Sequence, residues 1–428
     1  MSITASRGVA LYVGALLGPG LLVLPGLAAA QAGPASIIAW IGLLVLSGLI
    51  AIVFAALGVT RPSAGGVAEY ARIGLGDRAG RAVRWLFLAG ITTGAPLACY
   101  MGAGYLGGNR ITTAIASAVL LLVVLAVTRH GVRTSTTMQL VLVGLLLAVI
   151  LLAVGGAAPH SRTANWTPFA PHGWSSIGPA ATVLMFSFVG WEAIASLTGR
   201  FTNPRRDLPR VIGVAFAITT TIYLTLAYVT VAALGDTAAT ATPIAALLEL
   251  GIGTAGPAVA AVSAVILTLG TVNAYLTGGM QMVARPSRFT IAILVTEAAL
   301  LTLLGTGTIS TTVAVTVPTA CFLLVYLLCM LSAIRSLPGL TRPIAAVVAA
   351  AVVVVLSFGG YAVVPAILLT VAAFALPLRR GEELSSRRSR CNLAKAHRES
   401  SRRDRVATPC PRAQGATRAR GEAGRRRR

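Results

Sequence analysis

The sequence predicts an all-α polytopic membrane protein, and three observations lead to that class. Hydrophobic residues make up 56% of the 428 residues, while charged residues make up only 11%. The mean hydropathy is +0.82, and a soluble domain of this size has no core large enough to bury so much apolar surface. Apolar runs of roughly 18 to 25 residues, the length that crosses about 30 Å of hydrocarbon, recur along most of the chain.

Taken in order, the apolar runs predict twelve transmembrane helices. They cover residues 9–31, 35–57, 83–105, 112–128, 136–154, 176–199, 211–234, 257–283, 289–306, 310–333, 343–358 and 361–378. Loops rich in basic residues remain cytoplasmic. If the N-terminus is cytoplasmic, 16 of the basic residues before the tail lie inside, and only Arg110 and Arg162 lie outside. We therefore predict a multi-pass protein of the cell membrane with both termini in the cytoplasm.

Cysteines and histidines give no indication of a disulfide framework or a metal site. Three cysteines lie in predicted spans and two lie in the C-terminal tail, where thiols stay reduced. The four histidines have no metal-ligand spacing on a helix, and the sequence has no P-loop and no nucleophile elbow. We therefore predict neither an enzyme nor a bound metal or cofactor.

The first predicted helix contains residues that disfavour a continuous helix. In GALLGPGLLVLPG, residues Gly18, Pro19, Gly20 and Pro25 stand where a straight helix would cross the midplane. A proline in a helix interior costs about 3 kcal/mol and a glycine about 1 kcal/mol relative to alanine. Irregular backbone at that depth is tolerated where it lines a cavity or is packed by protein. We predict an interrupted helix. A simple proline kink is one alternative, and a cleaved signal peptide, for which the run is long, is another.

The sixth predicted helix repeats this arrangement in FSFVGWEAIAS, where Gly190 is followed by the carboxylate of Glu192. Five crossings precede it, so the sixth span starts from the outside, and a second repeat of the fold must be inverted. We expect one repeat over residues 9–154, a second over 176–333, and two extra helices over 343–378. Broken first helices in two inverted repeats indicate the central binding site of a transporter.

Interrupted helices suit a zwitterionic ligand. The N-terminus of a half-helix presents N–H groups and a positive dipole end, which bind carboxylates. Exposed carbonyl groups at the opposing ends accept hydrogen bonds from an ammonium group. An α-amino acid carries both groups on one carbon, so the predicted pocket fits this substrate class.

Three segments of the chain resemble those of amino acid–polyamine–organocation superfamily permeases. They are GALLGPGLLVLPG (14–26), PSAGGVAEYARIGLG (62–76) and FSFVGWEAIASLTGRFTNPRRDLPR (186–210). The resemblance covers roughly residues 8–378 and is closest to the bacterial exporters of methionine and branched-chain amino acids. It implies twelve helices in the five-plus-five inverted-repeat (LeuT-like) fold, with helices 1 and 6 broken.

The same resemblance assigns seven substrate-binding residues. They are Gly18, Gly20, Leu21, Phe186, Val189, Gly190 and Trp191. The first three would offer backbone N–H groups to the substrate carboxylate, and carbonyl groups near the next three would accept from the amino group. Phe186 would be an aromatic gate over the substrate, and Trp191 a wall of the pocket. Pro19 departs from the family pattern because it removes one N–H donor.

Two carboxylates are predicted to lie within the membrane. Glu192 could load and release a proton as access alternates, or it could only tie the sixth helix to a neighbour; both interpretations stay open. Glu297, in the ninth span, is expected to have a structural role. Four polar residues of the eighth span, Ser263, Thr268, Thr271 and Asn273, could form a sodium-like site, but hydrogen bonds to carbonyls of their own helix are expected instead.

Two cytoplasmic segments have unusual composition. Residues 58–82, the longest inner connection, are rich in glycine and arginine, and residues 379–428 are rich in Arg, Ser, Gly and Pro. We expect the tail 379–428 to be disordered and to lie against anionic lipid head groups. Binding of nucleic acid or a partner has only charge in its favour, and a third alternative is that this end is not native coding sequence.

The expected pocket lining of Gly, Val, Phe, Trp and Leu favours an uncharged side chain, because a charged one would need a buried partner. We predict a secondary transporter of neutral L-amino acids that works by alternating access, outward and in exchange for protons. Methionine and branched-chain amino acids are the substrates that the resemblance implies. The alternatives are an importer of the same fold and a transporter-like sensor that binds its ligand without flux.

Overall fold

Helices account for nearly all of the described chain. The computed structural model describes residues 5–18, 20–60, 66–130, 136–191, 201, 203–283 and 285–377. The α-helices of these residues are α1 (Ala5–Leu16), α2 (Gly20–Ala32), α3 (Ser36–Thr60), α4 (Gly66–Leu75), α5 (Asp77–Gly104), α6 (Arg110–Arg129), α7 (Thr136–Ala157), α8 (Ile177–Leu184), α9 (Pro204–Leu234), α10 (Pro243–Ile252), α11 (Gly256–Met282), α12 (Pro286–Gly305), α13 (Thr311–Ser336), α14 (Thr341–Ser357) and α15 (Val364–Ala375).

Eight helical segments of the described chain are long and apolar enough to cross a membrane. They are Gly20–Thr60, Asp77–Gly104, Arg110–Arg129, Thr137–His160, Arg205–Ala238, Pro243–Met282, Pro286–Gly305 and Thr311–Ser336. This confirms a helical multi-pass membrane protein. The count of twelve spans stays a prediction. The predicted number exceeds eight for three reasons. The single segment Gly20–Thr60 contains most of the first predicted span and all of the second, the sixth span runs into residues outside the described ranges, and the last two helices are short.

The core lies around α5 and α13. In the most apolar stretch of these two helices, 72% and 83% of the residues are buried, against 28% for α6 and for α12. Helix α13 packs against α4, α5 and α14, and α5 also packs against α6, α11 and α12. These two helices are therefore the most buried of the eight spans, and other spans pack around them.

The first predicted span is interrupted. Helix α1 ends at Leu16 and α2 begins at Gly20, so the interruption lies between these residues. The interpretation of Pro25 as part of the break is wrong, because Pro25 lies inside α2. A proline removes only one hydrogen bond of the helix, and neighbours make this tolerable in membrane helices. The Tyr105 hydroxyl donates to the Leu22 carbonyl, one residue after the Leu21 carbonyl that Pro25 leaves without its helical donor.

The sixth predicted span is also irregular. Helix α8 continues as a 3-10 turn over Met185–Phe188, and Val189 then adopts an extended conformation with φ −70° and ψ 129°. Gly190 follows with φ +156°. The described residues stop at Trp191 on this side. Glu192, like Pro19 and the tail 379–428, lies outside the described residues.

The first break lies between Leu16 and Gly20, and the second lies at Val189 and Gly190. The two breaks touch through their backbones. A Cβ atom added at Gly190 would lie 2.5 Å from the Ala15 carbonyl oxygen and 3.2 Å from the Leu16 Cα. Only glycine allows this approach, because every other residue carries the Cβ. The close contact between the second break and the end of α1 therefore requires a glycine at position 190.

The predicted cytoplasmic connection 58–82 contains a helix. Helix α4 packs against α5 and α13, and Ser332 of α13 accepts a hydrogen bond from the Gly74 N–H at 3.0 Å. On α4, Arg72 donates to both carboxylate oxygens of Glu69, at 2.7 and 2.5 Å. This hydrogen bonding raises the pKa of the Arg72 guanidinium. Within this connection, the helix Gly66–Leu75 is thus attached to the core.

Candidate functional site

A cavity lies beside the two helix breaks. Its lining residues come from both breaks and from α5, α11 and α13: Gly18, Gly20, Gly90, Ile91, Gly94, Ala95, Ala98, Phe186, Val189, Thr271, Val272, Tyr275 and Phe322. The space between these residues amounts to about 490 Å³, counting its open mouth. Binding sites of transporters are formed where helices are interrupted at mid-membrane. Since residues of both breaks line it, the cavity is the candidate substrate site.

Four of the seven predicted binding residues line this cavity, namely Gly18, Gly20, Phe186 and Val189. Leu21 does not line it. Its side chain is fully buried, and its N–H donates to the Gly18 carbonyl oxygen at 3.1 Å. This N–H already has a partner, so it differs from the free carboxylate donor that the resemblance implies.

Gly190 and Trp191 lie next to the cavity without lining it. Trp191 is 2% exposed, and its indole N–H donates to the Ser47 hydroxyl on α3 at 3.0 Å. Its ring also meets the Tyr12 ring edge-on, with 6.4 Å between centroids. Trp191 thus attaches the second break to α1 and α3, whereas Gly190 supplies the backbone contact with α1.

The start of α2 has the electrostatics of an anion site. As the first residue of this helix, Gly20 has an N–H without an intrahelical acceptor, and the N-terminal end of a helix carries a partial positive charge. Gly20 and Gly18 both line the cavity. A carboxylate in the cavity would therefore lie close to this end of the helix.

Sequence reasoning missed the wall formed by α5. Five residues of this helix line the cavity: Gly90, Ile91, Gly94, Ala95 and Ala98. Gly90, Gly94 and Ala98 recur every four residues, and this spacing places them on one face of a helix. The recurrence of small residues was the available signal, since such faces mark close approach in membrane helices.

Helices α11 and α13 complete the lining with Thr271, Val272, Tyr275 and Phe322. Of the eighth-span residues singled out in the sequence, Thr271 is therefore at the cavity. Asn273 instead accepts a hydrogen bond from the Thr128 hydroxyl of α6 at 2.7 Å. The Thr268 hydroxyl is buried and has no hydrogen-bond partner in the described part of the chain, so the expected bond to its own helix is not formed.

Glu297 lies away from the cavity lining. It is 4% exposed, and its Oε1 accepts a hydrogen bond from the Ser117 hydroxyl of α6 at 2.9 Å. Its Oε2 is buried without a partner among the described residues. The contact joins α12 to α6, which agrees with the structural role expected for this carboxylate.

Comparison with known proteins identifies the family. The profile described as amino acid permease matches residues 6–285. The chain is similar to the uncharacterized amino acid permease YecA of Bacillus subtilis, with 30% identity over 414 residues that cover 89% of this chain and 97% of the relative. It is also similar to the L-methionine/branched-chain amino acid exporter YjeH of Escherichia coli, with 30% identity over 406 residues, 88% of this chain and 96% of the relative.

A third relative matches a shorter part. The branched-chain amino acid permease BcaP of Bacillus subtilis is 26% identical over 246 residues, which cover 52% of each chain. The relatives are membrane transporters and not enzymes. Together, the match to the family profile and the two relatives that extend over nearly their whole length show that this chain belongs to the amino acid permease family of the amino acid–polyamine–organocation superfamily.

Proposed function

We propose that this protein is a secondary active transporter that exports neutral L-amino acids, methionine and branched-chain amino acids first, in exchange for protons. The single observation that carries the proposal is the cavity beside the gap between α1 and α2 and the irregular backbone that follows α8, with further walls from α5, α11 and α13. Irregular backbone at such a cavity is the usual construction of a transporter's binding site.

The main chain would bind the part common to all amino acids. The substrate carboxylate would lie against Gly18 and Gly20, at the positive end of α2. The ammonium group would donate to carbonyl oxygens near Phe186 and Val189, where the chain leaves helical geometry. Because the Leu21 N–H is engaged and Pro19 has no N–H, the first break offers fewer donors than the resemblance implies.

The side chains of the cavity would select the substrate. Its walls are built mainly from glycine, alanine, valine, isoleucine and phenylalanine, and no charged residue is among its lining in the described part of the chain. A cationic or anionic side chain would lose its hydration there without gaining a partner. The printed name of the exporter YjeH supports methionine and branched-chain amino acids as the first substrates to test.

The finer architecture belongs to the same proposal. Twelve helices in a five-plus-five inverted repeat would place the two breaks in equivalent positions of repeats 9–154 and 176–333, followed by two helices over 343–378. The arginine distribution supports cytoplasmic termini in the cell membrane. The basic tail 379–428 would lie against anionic lipids.

Transport into proteoliposomes tests the proposal. Purified protein is reconstituted, and flux of labelled leucine and methionine is measured with an imposed pH gradient of either sign. Flux that moves substrate against the direction of proton entry supports export by exchange. Flux in the direction of proton entry would identify an importer, and substrate binding without flux would identify a sensor.

The coupling step is tested with Glu192→Gln. We expect this variant to bind substrate but to lose the dependence of flux on the pH gradient, because glutamine cannot release a proton. Glu297→Gln is the matched control, since it makes the same change in a membrane carboxylate away from the cavity. If Glu192→Gln keeps the wild-type pH dependence, Glu192 does not carry the proton.

A further inference from the structure

Tyr223, on α9, joins the two helix breaks although it does not line the cavity. Its hydroxyl oxygen lies 2.6 Å from the Leu16 carbonyl oxygen and 2.6 Å from the Ser187 carbonyl oxygen. Leu16 is the last residue of α1, and Ser187 lies in the 3-10 turn before the second break. One side chain therefore contacts the last regular residue of one broken helix and the irregular end of the other.

The two carbonyl groups depend on a single proton. A tyrosine hydroxyl has one O–H to donate. The carbonyl groups at the C-terminal end of a helix receive no hydrogen bond from an N–H of their own helix. Both carbonyl oxygens are buried with the hydroxyl, and a buried carbonyl without a donor is costly. The proton can serve both only while both remain within hydrogen-bond distance of the same oxygen.

The position of the hydroxyl is fixed by the packing of its ring. Tyr223 is fully buried. The Trp40 ring meets it edge-on with 5.3 Å between centroids, and the Phe188 ring does so at 5.1 Å. Edge-to-face contacts of this kind favour one orientation. The hydroxyl is thus held in place by α3 and by the second break itself.

A second contact brings the same two chain segments together. Gly190 approaches the Ala15 carbonyl so closely that a Cβ would lie 2.5 Å from its oxygen. Two cavity residues lie close to these carbonyl groups in the sequence: Gly18 comes two positions after Leu16, and Phe186 comes one position before Ser187. A change in the separation of the two carbonyl groups would therefore move two walls of the cavity.

We propose that Tyr223 is a positioning residue, which sets the separation of the two helix breaks and through it the width of the candidate substrate site. The inference rests on the proposed function in so far as that site binds an amino acid. The hydroxyl does not touch the substrate in this proposal. It acts through the two carbonyl groups that it holds.

The test compares Tyr223→Phe with Tyr105→Phe in the reconstituted full chain. Tyr105 is a matched control because it is also buried and donates to a main-chain carbonyl of a broken helix, that of Leu22, without joining the two breaks. We expect Tyr223→Phe to raise the KM for leucine about five- to tenfold, because the two buried carbonyl groups lose the donor that they share. Its maximal rate and thermal midpoint should stay close to those of Tyr105→Phe.

Amide hydrogen exchange gives a readout that needs no substrate. Tyr223→Phe should speed exchange both in residues 14–24 and in residues 185–191, whereas Tyr105→Phe should affect only the first segment. An unchanged KM, or an equal rise in both variants, would overturn the proposal, as would unchanged exchange at either break in Tyr223→Phe. If the wild-type protein neither binds nor transports leucine or methionine, the proposed function fails, and the exchange measurement alone decides the role of Tyr223.

Discussion

Replacing Gly190 with alanine tests the contact between the two helix breaks. The new methyl carbon would lie 2.5 Å from the Ala15 carbonyl oxygen, 2.9 Å from its carbon and 3.2 Å from the Leu16 Cα. Non-bonded carbon atoms rest about 3.5 to 4.0 Å from their neighbours. All three neighbours are main-chain atoms of α1, so no side-chain rotation relieves the overlap.

Two costs add up at this position. Overpacking by one methyl group costs about 1 to 3 kcal/mol. The φ of +156° at Gly190 lies in a region that residues with a Cβ rarely adopt, which costs about 1 to 3 kcal/mol more. We therefore expect Gly190→Ala to destabilise the contact by about 2 to 6 kcal/mol in total.

The assay combines thermal unfolding in detergent with leucine flux in proteoliposomes. The thermal midpoint of Gly190→Ala should fall, and flux should drop at least about tenfold, the factor that corresponds to 1.4 kcal/mol. Gly42→Ala is the control, because Gly42 lies in the middle of α3 and its Cβ would meet nothing within 4 Å. That variant should be neutral or slightly stabilised, since alanine favours the helix over glycine.

A wild-type thermal midpoint together with wild-type flux in Gly190→Ala would contradict this reasoning. It would mean that the two backbones are not in contact in the working protein. An equal loss in Gly42→Ala would also contradict it, because the effect would then be a general response to substitution of a buried or membrane-exposed glycine.

Two further substitutions test the cavity wall and the cytoplasmic helix. Gly94→Ala adds a methyl group that fits without a clash, with 3.7 Å to the Phe186 ring, but it narrows the site. In competition assays, the preference for leucine over alanine as substrate should therefore fall by about tenfold. Ser332→Ala removes the acceptor of the Gly74 N–H and should lower the free energy of unfolding by about 1 to 3 kcal/mol. The control is Ser336→Ala, whose hydroxyl donates to a carbonyl of its own helix and whose thermal midpoint should match that of the wild type.

The sequence predicted those features that leave a local trace. Glycine and proline within an apolar run are unusual, so the interruptions near Gly18 and Gly190 could be placed to within a few residues. Pro25 has the same local trace, but it stays helical because a single missing hydrogen bond is tolerated in a packed membrane helix. Local composition thus identifies weak points of a helix without deciding which of them breaks.

Features that depend on distant contacts were not predictable. Helix α4 is only ten residues long, and it is attached to the core through Ser332, which lies 258 positions from its partner Gly74 in the chain. Trp191 was expected to line the pocket, but its indole N–H has a partner on α3, Ser47. The double contact of Tyr223 involves carbonyl groups, which every residue has, so no residue type in the sequence indicates its targets.

The contact of Gly190 with the end of α1 is made by main-chain atoms, whereas residues of α5, α11 and α13 form other walls of the cavity. Mutations on those three helices can therefore alter which solute is accepted while this main-chain contact stays unchanged. Such an arrangement allows substrate preference to diverge gradually within a lineage, since no intermediate has to rebuild the contact between Gly190 and α1.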